Sequence, residues 1–305
     1  MGRGVHGEKT VAGRRPGAGP GDPRAPTVER DESRGAQKQG QGLRRTAKAG
    51  TLRSMNGDAV SAELRVWRPV EGMLPPGVWF GVPTRRGGVS RGAYASLNLG
   101  LGVGDEKDDV LRNQALLFRA IGIPETGPLR LRQVHGARVV TPSEASSDAD
   151  GFLLEASDPW TAVSVADCAP VFLVAKDGSR GALLHSGWRG TRDGIAPHAV
   201  RLLGARGIPV SEIVASIGPC IHACCYPVSA EVARDFPGEA RKPHPDGVAV
   251  DLPRAITISL LEAGVPESAI HAAPECTSCE AASFYSHRRD RGVTGRHWAL
   301  ARLAP

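Results

Sequence analysis

Apolar and polar positions divide the chain near residue 60. Upstream of that point no apolar periodicity is visible. From Ser61 onward short apolar runs alternate with turn residues. LRVWRPV and GVWFGVP read as strands. Between Asp105 and Gly122, the residues Val110, Leu111, Leu117, Phe118 and Ile121 recur at helical spacing, with Asp108 as the expected N-cap and Gly122 as the stop. Further strand-like runs cover residues 137–141, 161–166, 171–175, 182–185 and 213–217. Helices are expected near residues 191–205, 229–236 and 253–263. The two kinds of element mix without strict βαβ alternation, and neither an internal repeat nor a linker follows residue 60. The pattern predicts one α+β domain over residues 61–305, a layered arrangement of mixed β-sheets flanked by helices.

Composition changes this picture mainly at the N-terminal end. Residues 1–60 contain no Phe, Trp or Tyr and are rich in Gly, Arg, Pro and Gln. Such a segment buries too little apolar surface to offset its ordering entropy, so it is expected to be a disordered basic extension. Met55, at its end, offers an alternative translation start. The chain's net charge is +6, and residues 1–60, with 12 Lys/Arg and 6 Asp/Glu, account for all of it. A neutral body carries no electrostatic footprint for nucleic acid. No run approaches the roughly 18 apolar residues of a membrane helix. Arg14-Arg15 and Arg44-Arg45 are followed by no hydrophobic segment, and no secretory signal is visible. The expected setting is cytoplasmic, with no membrane, nucleic-acid or obligate protein partner. The cysteines are Cys168, Cys220, Cys224, Cys225, Cys276 and Cys279. In a long chain without a signal they are expected as reduced thiols.

Three segments end a strand-like run with a reactive residue: RQVHG with His135, VADC with Cys168 and LLHSGWRG with His185. Their separations of 33 and 17 residues exceed any local turn, so only the fold can unite them. Alone, each is most often a hydrogen-bonded core residue. Together, two imidazoles and a thiolate form a first set of ligands for zinc, with the fourth tetrahedral position left for water. Such a site brings the pKa of that water to about 7. Copper accepts the same ligands. The glycines of GWRG allow close backbone approach, and Arg189 between them is a candidate anion contact. The same residues admit another use, in which Cys168 is a thiolate nucleophile, His135 or His185 its base, and an amide the substrate. Cys276-x-x-Cys279 has no second C-x-x-C to pair with, which argues against a zinc knuckle with Cys224 and Cys225. A laccase needs several His-rich copper sites, whereas the eight histidines after residue 60 are scattered without an H-x-H pair. A non-catalytic module that binds nucleic acid through the basic extension is the least favoured reading.

From about Val78 the chain resembles the YfiH-like family, also described as laccase-domain or polyphenol-oxidase-like proteins. The resemblance is carried in order by TRRGGVSRGAYASLNLG, GDEKDDVLRNQALL, LRQVHGARVV, DADGFL, VADCAPVFL, LLHSGWRGT, SIGPCIHACCYPVS, ECTSC and FYSHRRDRGVTGRHWAL. It implies that His135, Cys168 and His185 hold a catalytic zinc. It further implies phosphorolysis of adenosine, inosine and methylthioadenosine with inorganic phosphate, and hydrolytic deamination of adenosine. Some members are described instead as copper-dependent polyphenol oxidases or as peptidoglycan editing factors acting on precursor amides. On this reading Asp167 is the candidate proton carrier, since zinc deaminases pair a metal-activated water with a separate carboxylate. Arg189, Arg288 and Arg289 are the candidate phosphate contacts. Ser90, Asn98 and Gln133 are expected at the nucleoside pocket. Ser186, Pro227 and His287 stand where the family more often has Ala, an acidic residue and Tyr.

Overall fold

The computed structural model describes residues 64–303, together with the dipeptide strand Gly50–Thr51. The expected disordered extension otherwise lies outside the described residues. In chain order the elements begin with β1 (Gly50–Thr51), β2 (Arg65–Trp67), β3 (Trp79–Pro83), α1 (Lys107–Ile121), β4 (Leu129–Arg130) and β5 (Val139–Val140). A continuous block follows: β6 (Gly151–Glu155), β7 (Thr161–Val165), β8 (Ala169–Ala175), β9 (Arg180–Ser186), α2 (Trp188–Arg192), α3 (Ile195–Gly204) and β10 (Ile213–Ile217). The last part holds β11 (Pro227–Val228), α4 (Ala230–Arg234), β12 (Arg241–His244), β13 (Gly247–Val250), α5 (Leu252–Glu262), β14 (Ile270–Ala272) and β15 (His297–Arg302).

Two six-stranded sheets organise these elements. One has the order β1-β2-β3-β15-β7-β4 and the other β14-β10-β8-β9-β6-β5. Both are antiparallel except at β4–β7, β10–β14 and β5–β6. The sheets stack face to face. In β8, Phe172 and Val174 point to the inter-sheet layer, while Val171 and Leu173 point the other way. That is the period of two that a strand imposes on its side chains. Because both faces of this sheet are covered, β8 is buried throughout and reads as an unbroken apolar run. Phe80 from the first sheet stacks on Phe172 from the second, with ring centroids 5.0 Å apart.

Helices close the outer faces. Ile195, Ala199 and Leu203 of α3, with Leu252, Ile256 and Leu260 of α5, pack on Val171, Leu173 and Leu184. Leu117 and Phe118 of α1 cover the outer face of the first sheet beside Leu97, Leu99 and Trp298. The result is four layers, helix–sheet–sheet–helix, in keeping with the expected α+β class. A small antiparallel sheet, β11-β13-β12, stands apart from both.

Helix boundaries differ from the sequence expectation for local reasons. Asp108 lies inside the first turn of α1, and Glu106 is the N-cap; Gly122 ends the helix in the left-handed conformation, with φ of 75°. The single helix expected over residues 191–205 is two. Gly194, with φ of 76°, breaks it between α2 and α3. Ser229 and Asp251 cap α4 and α5 with side chains that accept from Val232 N and Arg254 N.

Phe172→Ala removes a ring from the centre of the inter-sheet layer, where the side chain is fully buried. The expected loss is about 3–5 kcal/mol of unfolding free energy, measured by chemical denaturation.

Candidate metal centre

The pairing of β8 with β9 sets Ala169 opposite Ser186 and Pro170 opposite His185. Cys168, one residue before β8, therefore meets His185 near the end of β9. His135 arrives on the loop between β4 and β5. Ligand atoms of His135, Cys168 and His185 all lie within 4.8 Å of one another. The two imidazoles meet edge to face, with centroids 4.8 Å apart and planes at 82°. His185 is buried, Cys168 half-buried and His135 exposed, so the cluster opens to solvent on the His135 side. Gly187 is required by close approach: a Cβ there would stand 2.8 Å from Cys168 Sγ. A Cβ on Gly190 would stand 2.8 Å from the Gly136 carbonyl.

Asp150 binds this arrangement together. Its side chain is fully buried. Oδ1 accepts from His135 N at 2.9 Å, and Oδ2 accepts from Val134 N at 3.2 Å and Gly136 N at 2.7 Å. Oδ1 also meets His185 Nδ1 at 2.8 Å. With Nδ1 engaged, Nε2 of His185 is the nitrogen left for a metal. A carboxylate behind a metal-binding imidazole fixes its tautomer and raises its basicity. His135 has φ of 61°, a left-handed conformation that costs a non-glycine residue of order 1–3 kcal/mol. The three N–H bonds from residues 134–136 to one carboxylate hold it there.

Without a metal, electrostatics favours a thiolate–imidazolium pair at Cys168 and His185, so an incoming cation would have to displace the imidazolium proton. At Cys168, burial opposes the thiolate, but the charge of His185 and hydrogen bonds from both imidazoles outweigh it and bring the thiol down to about 6. At His185, burial opposes the imidazolium, yet the Cys168 thiolate and Asp150 raise it to about 9. Asp150 itself is held below the usual carboxylate range: burial pushes it up, and the His185 and backbone hydrogen bonds pull it further down.

The other expected site residues divide into two groups. Arg189 and Arg288 are exposed. Arg189 lies over the Trp188 ring at 4.4 Å and forms no ion pair among the described residues. Arg288 lies over Tyr226 at 4.7 Å and donates to the Pro227 carbonyl at 2.6 Å. The remaining groups are committed internally. Asp167, with φ of 92°, accepts from Thr277 Oγ1 at one oxygen and from Arg288 N at the other, both at 2.6 Å. Arg289 is spent on Asp290 and on the carbonyls of Thr277, Ser278 and Phe284. The Gln133 amide forms a two-way pair with the backbone of Ser164, tying the His135 loop to β7. Ser90 and Asn98 share Asp105 Oδ2 inside a buried network with Asn113, and Asn98 is fully buried. Of the three departures from the family pattern, Ser186 meets Thr191 Oγ1 at 2.8 Å and His287 meets Arg296 at 3.5 Å.

Three neighbours were not singled out from sequence. Asp150 lay in the quoted DADGFL, but its role is entirely tertiary. Tyr226 is half-buried, and burial raises its phenol while Cys168, Arg288, Asp167 and Arg189 all act on it. Arg296 is lowered by burial and steadied by Asp167 and Cys168.

The donor set fits a single zinc or copper ion. It does not fit a multi-copper centre, because the other group able to hold a metal among the described residues is all cysteine: Cys224, Cys225, Cys276 and Cys279. The sequence had argued against that second gathering.

Asp150→Asn would place an amide NH₂ against backbone N–H donors. Zinc affinity is expected to fall about 10–100-fold in a chelator competition. In metal-stripped protein, iodoacetamide should alkylate Cys168 at a rate that climbs through pH of about 6 and levels off above it, because the thiolate is the reactive form. Added zinc should suppress the reaction, as read by peptide mass spectrometry.

Comparison with known proteins agrees with this architecture. The sequence profile described as multi-copper polyphenol oxidoreductase laccase matches residues 80–304. Purine nucleoside phosphorylase YlmD of Geobacillus stearothermophilus is 39% identical over 264 residues, covering 80% of this chain and 96% of that protein. A purine nucleoside phosphorylase of Haemophilus influenzae is 32% identical over 234 residues, covering 73% and 93%. The crystal structure of YlmD from Geobacillus stearothermophilus superposes with a TM-score of 0.73 at 35% identity, over 84% of this chain and 100% of that one. That of the Bacillus licheniformis hypothetical protein YfiH gives 0.71 at 29% identity, over 79% and 96%. The chain belongs to the multi-copper polyphenol oxidoreductase laccase family, the group of YfiH and YlmD.

Proposed function

We propose that the protein is a zinc-dependent purine nucleoside phosphorylase. Its substrates on this reading are adenosine, inosine and methylthioadenosine, and it also deaminates adenosine hydrolytically. The observation that carries the reading is the gathering of His135, Cys168 and His185 within 4.8 Å, with His135 exposed; the exposed Arg189 lies four residues beyond His185, and the exposed Arg288 is bonded through its backbone N–H to Asp167, the residue before Cys168. The names of the relatives support the substrate class. Zinc bound by these three residues supplies Lewis acidity at the open face, sufficient to activate water for deamination.

The chain's own residues then have separable roles. Asp150 holds His185 in the tautomer that presents Nε2 and keeps the His135 loop in place. Phosphorolysis brings a phosphate oxygen to the sugar C1′ as the bond to the purine nitrogen breaks, and the departing base takes up a proton. A dianion at that position calls for cations without carboxylate partners. Arg189 meets this requirement, and Arg288, over the Tyr226 ring, is the second such cation; the charges of both reach the Tyr226 phenol. We assign Asp167, Gln133, Ser90, Asn98 and Arg289 to positioning, since their polar atoms are already bonded within the protein. Asp167 in particular links the loop before Cys168 to the segment that carries Arg288.

The deciding experiment incubates zinc-loaded protein with adenosine, with and without phosphate. Adenine plus ribose 1-phosphate shows phosphorolysis, and inosine shows deamination. The absence of both overturns the reading. Arg189→Ala is expected to raise the KM for phosphate roughly tenfold or more, the equivalent of one charge-assisted hydrogen bond, while deamination is spared. Undiminished turnover by metal-free protein would favour instead a Cys168 nucleophile acting on an amide.

A further inference from the structure

We propose that Cys224, Cys225, Cys276 and Cys279 bind one zinc ion in a closed structural site, distinct from the His135–Cys168–His185 centre. The proposal rests on the spacing of four sulfurs. All four Sγ atoms lie within 4.8 Å of one another. Cys279 Sγ is 3.5 Å from Cys224 Sγ and 3.4 Å from Cys225 Sγ. Four sulfurs at about 2.3 Å from a tetrahedral zinc stand about 3.8 Å apart. The two separations from Cys279 fall 0.3–0.4 Å short of that value, and the 4.8 Å limit on the whole group leaves room for it. A disulfide joins two sulfurs at about 2.05 Å. Here one sulfur is nearly equidistant from two adjacent partners, and a fourth completes the group. An iron–sulfur cluster interposes several irons and sulfides between its cysteines and so needs them further apart than one ion does.

The backbone has already brought the two cysteine pairs together. Cys220 and Cys276 form a β-bridge, and Thr277 N donates to Cys220 O at 2.9 Å. The short helical turn Ala223–Cys225 then lifts Cys224 and Cys225 toward Cys276 and Cys279. His222 N points at Cys276 Sγ at 3.5 Å, the N–H to sulfur contact that supports a bound thiolate. Four thiols so crowded are only weak hydrogen-bonding partners for each other. A cation is the partner that satisfies all four. Four thiolates also fill zinc's tetrahedral shell, so the site has no open position for catalysis.

Its effect would be mechanical. Cys225 precedes Tyr226 and Pro227, which meet Arg288. Thr277, between Cys276 and Cys279, donates to Asp167, the residue before Cys168. One ion would thus rivet two irregular segments that border the first centre.

Metal analysis of protein purified without chelators tests this directly. The expected content is two zinc per chain. Cys279→Ser and Cys224→Ser, on the exposed side of the cluster, should each retain one, and so should Cys168→Ser. In cobalt-loaded Cys168→Ser protein, the strong thiolate-to-cobalt absorption of a tetrathiolate site should appear, and adding Cys279→Ser should remove it. A wild-type content of one zinc, unchanged in both Cys279→Ser and Cys224→Ser, overturns the proposal. So does a disulfide from Cys279 to Cys224 or Cys225, mapped in protein alkylated before digestion. Because the Cys168→Ser arm is counted separately, failure of the first metal centre and failure of this one give different results.

Discussion

One buried carboxylate holds the candidate metal centre together. Asp150 takes three backbone N–H groups of a strained loop and one imidazole of a β-strand, and so ties those two elements together through a single side chain. Without it, the left-handed backbone at His135 has no compensation and the ring of His185 has no fixed tautomer. Cys168 then loses the imidazole whose charge keeps its sulfur ionised. The cluster is less a set of three ligands than a carboxylate with ligands arranged around it.

The sheets explain why that carboxylate stays where it is. Asp150 sits just before β6, whose partner β9 carries His185, and β9 pairs on its other side with β8. The three strands lie in the middle of a sheet covered on both faces. A rigid, dry sheet delivers two of the reactive residues at its rim, and loops supply the third. The irregular segments around residues 220–228 and 275–290 lack such support. Their anchors are Asp167, the guanidinium of Arg289 and the gathered cysteines.

Much of this was legible before the structure, and the exceptions share a cause. Apolar runs found β8, β9 and β10, and helical spacing found α1 to within a turn. The reactive ends RQVHG, VADC and LLHSGWRG were visible because a His or Cys stands out after apolar residues. Asp150 did not stand out, since a carboxylate near a turn is ordinary until its four partners are known. Arg289, Gln133, Ser90 and Asn98 show the converse. Their chemistry suits substrate contact, but sequence does not reveal that their polar atoms are already satisfied within the fold. The cysteines failed as a pattern because an adjacent pair and a C-x-x-C do not form a repeated motif, although the Cys220–Cys276 bridge brings them together. Gly194 was passed over inside an otherwise helical stretch, where its positive φ breaks the helix.

The position of β15 carries a consequence for synthesis. It lies between β3 and β7, with Leu300 opposite both Gly81 and Ala162. On the ribosome β3 is made early and must wait, its edge toward β15 unpaired, until residue 302 has left the exit tunnel. The second sheet has no such delay, because β6, β8, β9 and β10 emerge in close succession. Nascent chains would therefore hold a half-built sandwich, with the sheet that carries Cys168 and His185 assembled first and its partner closing only after translation has passed the last strand.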